Sequence, residues 1–203
     1  FAYPTELSGD MVWISGLVDN GAIDGYSGAT ALGIGAAEGI AGMSSAFTWE
    51  QTFFGQIPGS IGETSTFLIL LAGAYLVYTK IASWRIIFGT LIGMIVMSSF
   101  LNFVGSETNP MFSVPWYWHL TIGGFAFGLI FMATEPVTAA STNKGRWIYG
   151  LSIGVIAVLI RVVNPAFPEG MMLAILFANL LAPAIDFAVT SRQTSKRMQR
   201  YNS

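Results

Sequence analysis

The stretch from residue 86 to residue 104, IIFGTLIGMIVMSSFLNFV, decides the fold class because it is long, apolar and free of charge. Roughly 20 helical residues cross a hydrocarbon core of about 30 Å. Four further apolar segments lie at about 64–80, 117–134, 147–164 and 171–190. We therefore predict an all-α membrane protein with about five transmembrane helices that follow an extramembrane segment.

The composition supports a membrane protein and excludes several cofactors. Of the 203 residues, 53% are hydrophobic and 10% charged, whereas about a quarter of the residues in soluble domains are charged. The chain has no cysteine and one histidine, His119, so by itself it holds no iron–sulfur cluster, disulfide or bis-histidine haem. The only basic tract is the short C-terminal tail, so we predict no nucleic-acid partner.

The basic residues predict an orientation. If all five segments cross the membrane, eight of the nine basic residues fall on one side, which is cytoplasmic by the positive-inside rule. These residues are Lys80, Arg85, Lys144, Arg146, Arg192, Lys196, Arg197 and Arg200. We predict a periplasmic segment over 1–63, five helices over 64–190 and a basic cytoplasmic tail over 191–203. The odd number of spans and the start at Phe1 also suggest the later half of an inverted-repeat fold.

A polar heptapeptide, D-G-Y-S-G-A-T, runs from Asp24 to Thr30. The small residues Ser27, Gly28 and Ala29 leave the Thr30 hydroxyl accessible, and glycine permits a turn. Asp24 would order the turn by accepting a hydrogen bond from its own backbone. Taken by itself, however, the pattern favours a plain turn before a helix rich in small residues.

The segment Gly59-Ser-Ile-Gly-Glu-Thr-Ser65 is a second candidate for chemistry. Its glycines and hydroxyls lie at the N-terminal end of the first span, where a helix N-terminus favours an anion. An ordinary capping box with Ser60 and Glu63 accounts for it equally well.

Two acids, Glu135 and Asp186, lie at membrane depth. Charged residues in the bilayer tend to pair or to line an ion path, and carboxylate oxygens suit a hard cation such as Na⁺. The sequence alone favours pairing at the interface, of Asp186 with Arg192 and of Glu135 with Lys144.

Other features of the spans have structural explanations. Gly89-x-x-x-Gly93 and Gly124-x-x-x-Gly128 predict close helix packing. We expect a structural cluster of Arg161, Asn164 and Glu169, and a boundary position for His119 near the headgroups. The aromatic residues at the predicted span ends are typical of an interfacial belt, namely Trp84, Trp116, Tyr117, Trp118 and Trp147.

Several motifs, in order along the chain, resemble one family. They are the S-G-A-T of residues 27–30, PGSIGETS at 58–65, IASWRI at 81–86, NPMFSVPWYWH at 109–119 and RVVNPAFPEGMM at 161–172. Together they make the chain similar to the NqrB membrane subunits of the Na⁺-translocating NADH:quinone oxidoreductases. The related RnfD subunits of the Rnf ferredoxin:NAD oxidoreductases share the first two motifs.

The resemblance implies a membrane flavoprotein of the bacterial inner membrane. Thr30 would carry FMN covalently after attachment by a flavin transferase, with Asp24, Ser27, Gly28 and Ala29 as the recognised motif. The subunit would also bind riboflavin, pass electrons from NADH through partner subunits to ubiquinone, and support Na⁺ export. Gly59, Ser60, Gly62 and Glu63 become candidate flavin contacts, and Glu135 and Asp186 candidate Na⁺ ligands. An Rnf-type subunit and a non-redox channel or carrier half are the alternatives.

Overall fold

The computed structural model describes residues 30–60, 62–164 and 168–201. Asp24, Ser27, Gly28 and Ala29 therefore lie outside the described residues. Every regular element in the described ranges is helical, and these ranges contain no strand. The predicted all-α membrane fold is confirmed.

Eight α-helices follow one another in the described ranges, with a 3₁₀ turn, Pro110–Ser113, between α4 and α5 and a π-helical turn, Gly128–Met132, directly after α6. The α-helices are α1 Ala31–Ala46, α2 Trp49–Phe54, α3 Thr66–Tyr78, α4 Trp84–Val104, α5 Trp116–Thr121, α6 Phe125–Phe127, α7 Asn143–Val163 and α8 Met171–Tyr201.

Three of these helices, α4, α7 and α8, are long and apolar enough to cross a membrane. Helix α3 is apolar but has only 13 residues, fewer than the roughly 20 that cross a hydrocarbon core. The predicted span over 117–134 is not one helix. It is interrupted between Thr121 and Phe125, because the backbone at Gly123 has a φ of 62°, a value that glycine adopts readily.

Helices α4 and α7 pack closely through glycines. Gly89 lies against Gly150 and Gly93 against Gly154, so the two helices run parallel. A Cβ at Gly150 would lie only 2.5 Å from the Ile86 carbonyl oxygen. The predicted packing role of Gly89 and Gly93 is confirmed, and the facing pair on α7 completes the contact.

Helix α8 runs antiparallel to α7. The Tyr149 hydroxyl donates to Asn179 Oδ1 at 2.5 Å, and Asp186, further along α8, contacts Thr142 just before α7 begins. The basic first turns of α4 and α7 and the basic end of α8 therefore share one end of the bundle, as the charge pattern predicts.

Helix α1 packs at the other end of the bundle, on the 3₁₀ turn that follows α4. Gly39 has a φ of 68°, which kinks α1, and a Cβ there would lie 2.6 Å from the Pro110 carbonyl oxygen. The amide of Ile40 donates to Ser113 Oγ at 3.4 Å. Thr30, at the start of α1, therefore lies at the end opposite to the basic residues.

Candidate functional site

Thr30 is the N-cap residue of α1. Its backbone is extended, with φ −63° and ψ 151°, and its Oγ1 accepts a hydrogen bond from the Gly33 amide at 3.2 Å. The side chain is exposed. A Cβ at position 33 would lie 3.3 Å from that oxygen, so the glycine leaves the space beside the hydroxyl open.

The surroundings of Thr30 favour a bound anion. The first turn of α1 contains no acidic residue, and the N-terminus of a helix carries a partial positive charge with free amide groups. A phosphate joined to Thr30 Oγ1 would meet these amides without competition from a carboxylate in that turn.

The interruption between α5 and α6 is stabilised by a buried cation, Arg161. Its side chain has an exposed fraction of 0%. It donates from Nη1 to the His119 carbonyl at 2.7 Å and from Nη2 to the Ile122 carbonyl at 3.0 Å. These carbonyls lack helical partners where the helix stops, so the guanidinium satisfies them in place of water.

Two carboxylates reach the same interruption. The Gly124 amide donates to Glu169 Oε1 at 2.8 Å, and that oxygen lies 3.8 Å from Arg161 Nη2. A Cβ at Gly124 would lie 2.7 Å from Glu63 Oε2 and 3.1 Å from Glu169 Oε1. We call Glu63, Gly123, Gly124, Arg161 and Glu169 the break cluster. Burial raises the pKa of the Glu169 carboxyl, and Arg161 opposes part of that rise.

The predicted cluster of Arg161, Asn164 and Glu169 is thus only partly correct. Arg161 and Glu169 form the ion pair, whereas Asn164 is exposed at the end of α7. Asn164 lies outside the pair as the exposed C-cap residue of α7.

The turn before α3 differs from the predicted capping box. The Ser60 amide donates to Glu63 Oε1 at 3.2 Å, but the N-cap of α3 is Ser65, whose Oγ accepts from the Leu68 amide at 3.4 Å. Ser60 and Glu63 instead stabilise a separate turn in which Gly62 has a φ of 86°. This turn directs the second oxygen of Glu63 toward Gly124 at the interruption.

The first of the two predicted Na⁺ residues, Asp186, lies at the opposite end of the bundle. Its carboxylate accepts hydrogen bonds from the amide and hydroxyl groups of Ser141, at 2.6 and 2.8 Å. It also accepts two from Thr142, at 3.0 Å from the amide and 2.5 Å from the hydroxyl. The alternative pairing with Arg192 is wrong, because the described residues include no ion pair between them. Four donors from Ser141 and Thr142 satisfy the carboxylate instead.

Glu135, the second predicted Na⁺ residue, stabilises the turn that directly follows it. It accepts from the Val137 amide at 2.9 Å, and from the Thr138 amide and hydroxyl at 2.9 and 2.6 Å. These bonds, led by that of the Thr138 hydroxyl, lower the pKa of the Glu135 carboxyl. The alternative pairing with Lys144 is also wrong, since these two described residues form no ion pair.

Two predictions of interfacial positions are wrong as well. His119 has an exposed fraction of 1%, and its Nδ1 has no hydrogen-bond partner among the described residues. Trp118 is buried, whereas Trp116 and Tyr117 are partly exposed. Both inward-facing side chains lie on α5, which packs on α4 before the interruption.

The glycines of the interruption are residues of the break cluster whose role the sequence pattern does not predict. The spacing of Gly124 and Gly128 predicts helix packing, and no motif includes Gly123. The available signal is two adjacent glycines inside one apolar segment and a lone arginine inside another. Irregular backbone at membrane depth needs such an internal donor.

Comparisons with known proteins identify relatives over nearly the whole chain. The NQR2, RnfD, RnfE family matches residues 1–195. The chain is 59% identical over 201 residues to the NqrB subunit of the Na⁺-translocating NADH-quinone reductase of Stutzerimonas stutzeri, covering 98% of this chain and 48% of that one. It is 58% identical over 207 residues to the NqrB subunit of Neisseria meningitidis serogroup A, covering 100% and 49%. The chain spans about half the length of the curated relatives it matches.

Proposed function

The chain belongs to the NQR2, RnfD, RnfE family, and we propose that it forms part of a flavin-bearing membrane subunit of a Na⁺-translocating NADH:quinone reductase. The observation that carries this proposal is Thr30, an exposed hydroxyl at a helix N-terminus with open space beside it. The two relatives are NqrB subunits of that reductase. The other subunits of the complex are the implied partners.

The residues around Thr30 fit covalently bound FMN. Oγ1 would become the ester oxygen, and the phosphate oxygens would then accept from amides of the first turn of α1, including that of Gly33, which now donates to Oγ1. Glycine at position 33 leaves room for a flavin transferase and for the phosphate. Ser27, Gly28 and Ala29 would be recognised by that enzyme.

Bound FMN would supply an electron carrier between a partner subunit and quinone. The overall reaction is balanced when NADH gives up two electrons and one proton, and ubiquinone takes up two electrons and two protons, one of them from water, to form quinol. This chain would hold the carrier at the end of the bundle opposite to the basic residues. We further propose that Gly59, Ser60, Gly62 and Glu63 contact a flavin, either riboflavin or the FMN on Thr30. The position of Glu63 Oε2 beside Gly124, near the start of α1, supports this.

We propose that Asp186 and Glu135 bind Na⁺ along its path through the protein. Asp186 with the hydroxyls of Ser141 and Thr142 places several oxygens within hydrogen-bond distance, and a hard cation prefers such ligands. We expect Asp186→Ala and Glu135→Ala to raise the Na⁺ concentration for half-maximal turnover. Unchanged Na⁺ dependence in both variants would contradict a role in Na⁺ binding and leave these acids with only the hydrogen bonds described above.

The bundle places Thr30 at the end away from the basic residues. By the positive-inside rule the Thr30 end is periplasmic and the C-terminus cytoplasmic, in a bacterial inner membrane. A membrane-impermeant thiol reagent applied to intact cells tests this with single cysteines at exposed positions. We expect labelling at Glu107, next to the Thr30 end, and none at Arg192.

The reaction is tested with the purified whole complex. NADH oxidation coupled to quinone reduction and stimulated by Na⁺ is the expected result, and Thr30→Val should abolish quinone reduction while the complex still assembles. Electron exchange with ferredoxin in place of quinone would indicate an Rnf-type complex. Activity that survives Thr30→Val would contradict the proposed role of Thr30.

A further inference from the structure

The break cluster lies within reach of an FMN group attached to Thr30. Leu32, two residues after Thr30, packs on the interruption, since a Cβ at Gly123 would lie 2.9 Å from Leu32 Cδ2. The Thr30 Cα is therefore at most about 14 Å from Gly123, given the reach of the intervening backbone and side chain. The ribityl chain and ring system of FMN are long enough to cover that distance.

The charges of the cluster do not balance. The buried guanidinium of Arg161 faces two carboxylates, and Glu63 Oε2 and Glu169 Oε1 are less than about 6 Å apart because both lie close to one point beside Gly124. Arg161 pairs with Glu169, which leaves the charge of Glu63 in excess. Screening by salt is weak for partly buried charges, so this excess acts over a long distance.

We propose that the carboxylates of the break cluster, Glu169 and Glu63, set the midpoint potential of the flavin on Thr30, and that Arg161 is the positioning residue that holds them there. This rests on the proposed covalent FMN. Negative charge near a flavin opposes electron uptake, because the reduced flavin gains negative charge. The cluster therefore keeps the midpoint potential lower than an uncharged environment would.

Arg161 acts through the backbone. It donates to the carbonyls of His119 and Ile122 on one side of the interruption, and through Nε to the Glu169 carbonyl at 3.4 Å. These three bonds fix the Gly123 backbone, on which Leu32 rests, relative to the loop that carries Glu169. The distance between the carboxylates and the start of α1 is set by this arginine.

The experiment is a redox titration of the covalent flavin in the whole complex, comparing Glu169→Gln with the unmutated protein. Glutamine keeps an oxygen acceptor for the Gly124 amide and removes the charge, so we expect a shift of the midpoint potential to a more positive value at unchanged FMN content. Glu107→Gln is the matched control, because Glu107 is exposed in a loop at the same end and its charge is screened. The control should show no shift.

A purely structural role of Glu169 would change FMN content or assembly and leave the potential of the retained flavin unchanged. If Glu169→Gln fails to assemble, Glu63→Gln gives the same test, since Glu63 Oε2 accepts no hydrogen bond among the described residues. An unchanged potential with FMN retained overturns this proposal alone. Absence of FMN from Thr30 in the unmutated complex overturns the proposed function, and this proposal with it.

Discussion

Two threonines of this molecule occupy the same local structure, yet we propose that only one carries a cofactor. Thr30 begins α1 and Thr48 begins α2 as exposed N-cap residues with extended backbones. Each side chain accepts a hydrogen bond from the amide three residues later, at 3.2 Å from Gly33 and 3.3 Å from Gln51. Even their upstream sequences are alike, S-G-A-T and S-A-F-T.

The difference lies in what stands beside each hydroxyl. Gln51 reaches back to the Thr48 amide at 2.9 Å and completes a capping box, and Glu50 places a carboxylate in the first turn of α2. At Thr30 the corresponding position is Gly33, and the first turn has no acid. Helix α2 thus satisfies its own N-terminus, whereas among the described residues no side chain from the first turn of α1 fills the space beside the Thr30 hydroxyl. We infer that an N-cap threonine alone is not sufficient for attachment.

The largest expected effect comes from removing each hydroxyl in turn. Thr30→Val should abolish the fluorescence of covalent flavin in a denaturing gel, because no ester oxygen remains. Thr48→Val should keep it at the unmutated level. Membrane insertion, followed by immunoblotting of membrane fractions, should be the same for both. Fluorescence that survives Thr30→Val would remove Thr30 from its proposed role.

A smaller effect is expected when Thr30 is given the neighbour of Thr48. Gly33→Gln fills the space beside Oγ1, and we expect a several-fold lower ratio of flavin to protein, measured by absorbance. Gly33→Ala should have a weaker effect, since its Cβ would lie 3.3 Å from Oγ1. Alanine also favours the helix by about 1 kcal/mol over glycine, so a loss of flavin in this variant does not come from a weaker helix. Full occupancy in Gly33→Gln would show that the open space is irrelevant.

The reverse change should have no effect on flavin content. Gln51→Gly opens the space beside Thr48 but leaves S-A-F-T before it, and we expect no FMN at Thr48. The cost is the broken capping box and a glycine in the first turn, together about 1 kcal/mol of helix stability. Mass spectrometry of the peptide over residues 39–50 is the readout. FMN on Thr48 in this variant would mean that space decides attachment without the motif.

The sequence predicts the long helices and the helix after Thr30 because their signals are local. The apolar runs of α4 and α7 and the small residues after Thr30 are each contained within about 20 residues. The interruption at Gly123 is not predictable in this way, since its carbonyls are satisfied by Arg161, which lies 39 residues beyond Ile122.

The partners of Asp186 are hidden from the sequence for the same reason. Ser141 and Thr142 precede it by 45 and 44 residues, and only the antiparallel packing of α8 on α7 brings them together. A single charged residue in an apolar helix shows that a partner exists, but the partner's identity depends on the tertiary fold.

The measurement that tests the central claim most directly is the mass of the peptide that contains Thr30. Residues 1–65 contain no lysine or arginine, so cleavage after glutamate is required, and cuts at Glu38 and Glu50 separate Thr30 from Thr48. We predict that the Thr30 peptide is heavier by about 438 Da, the mass that esterified FMN adds, and that the Thr48 peptide is unmodified. An unmodified Thr30 peptide from the active complex would contradict the account.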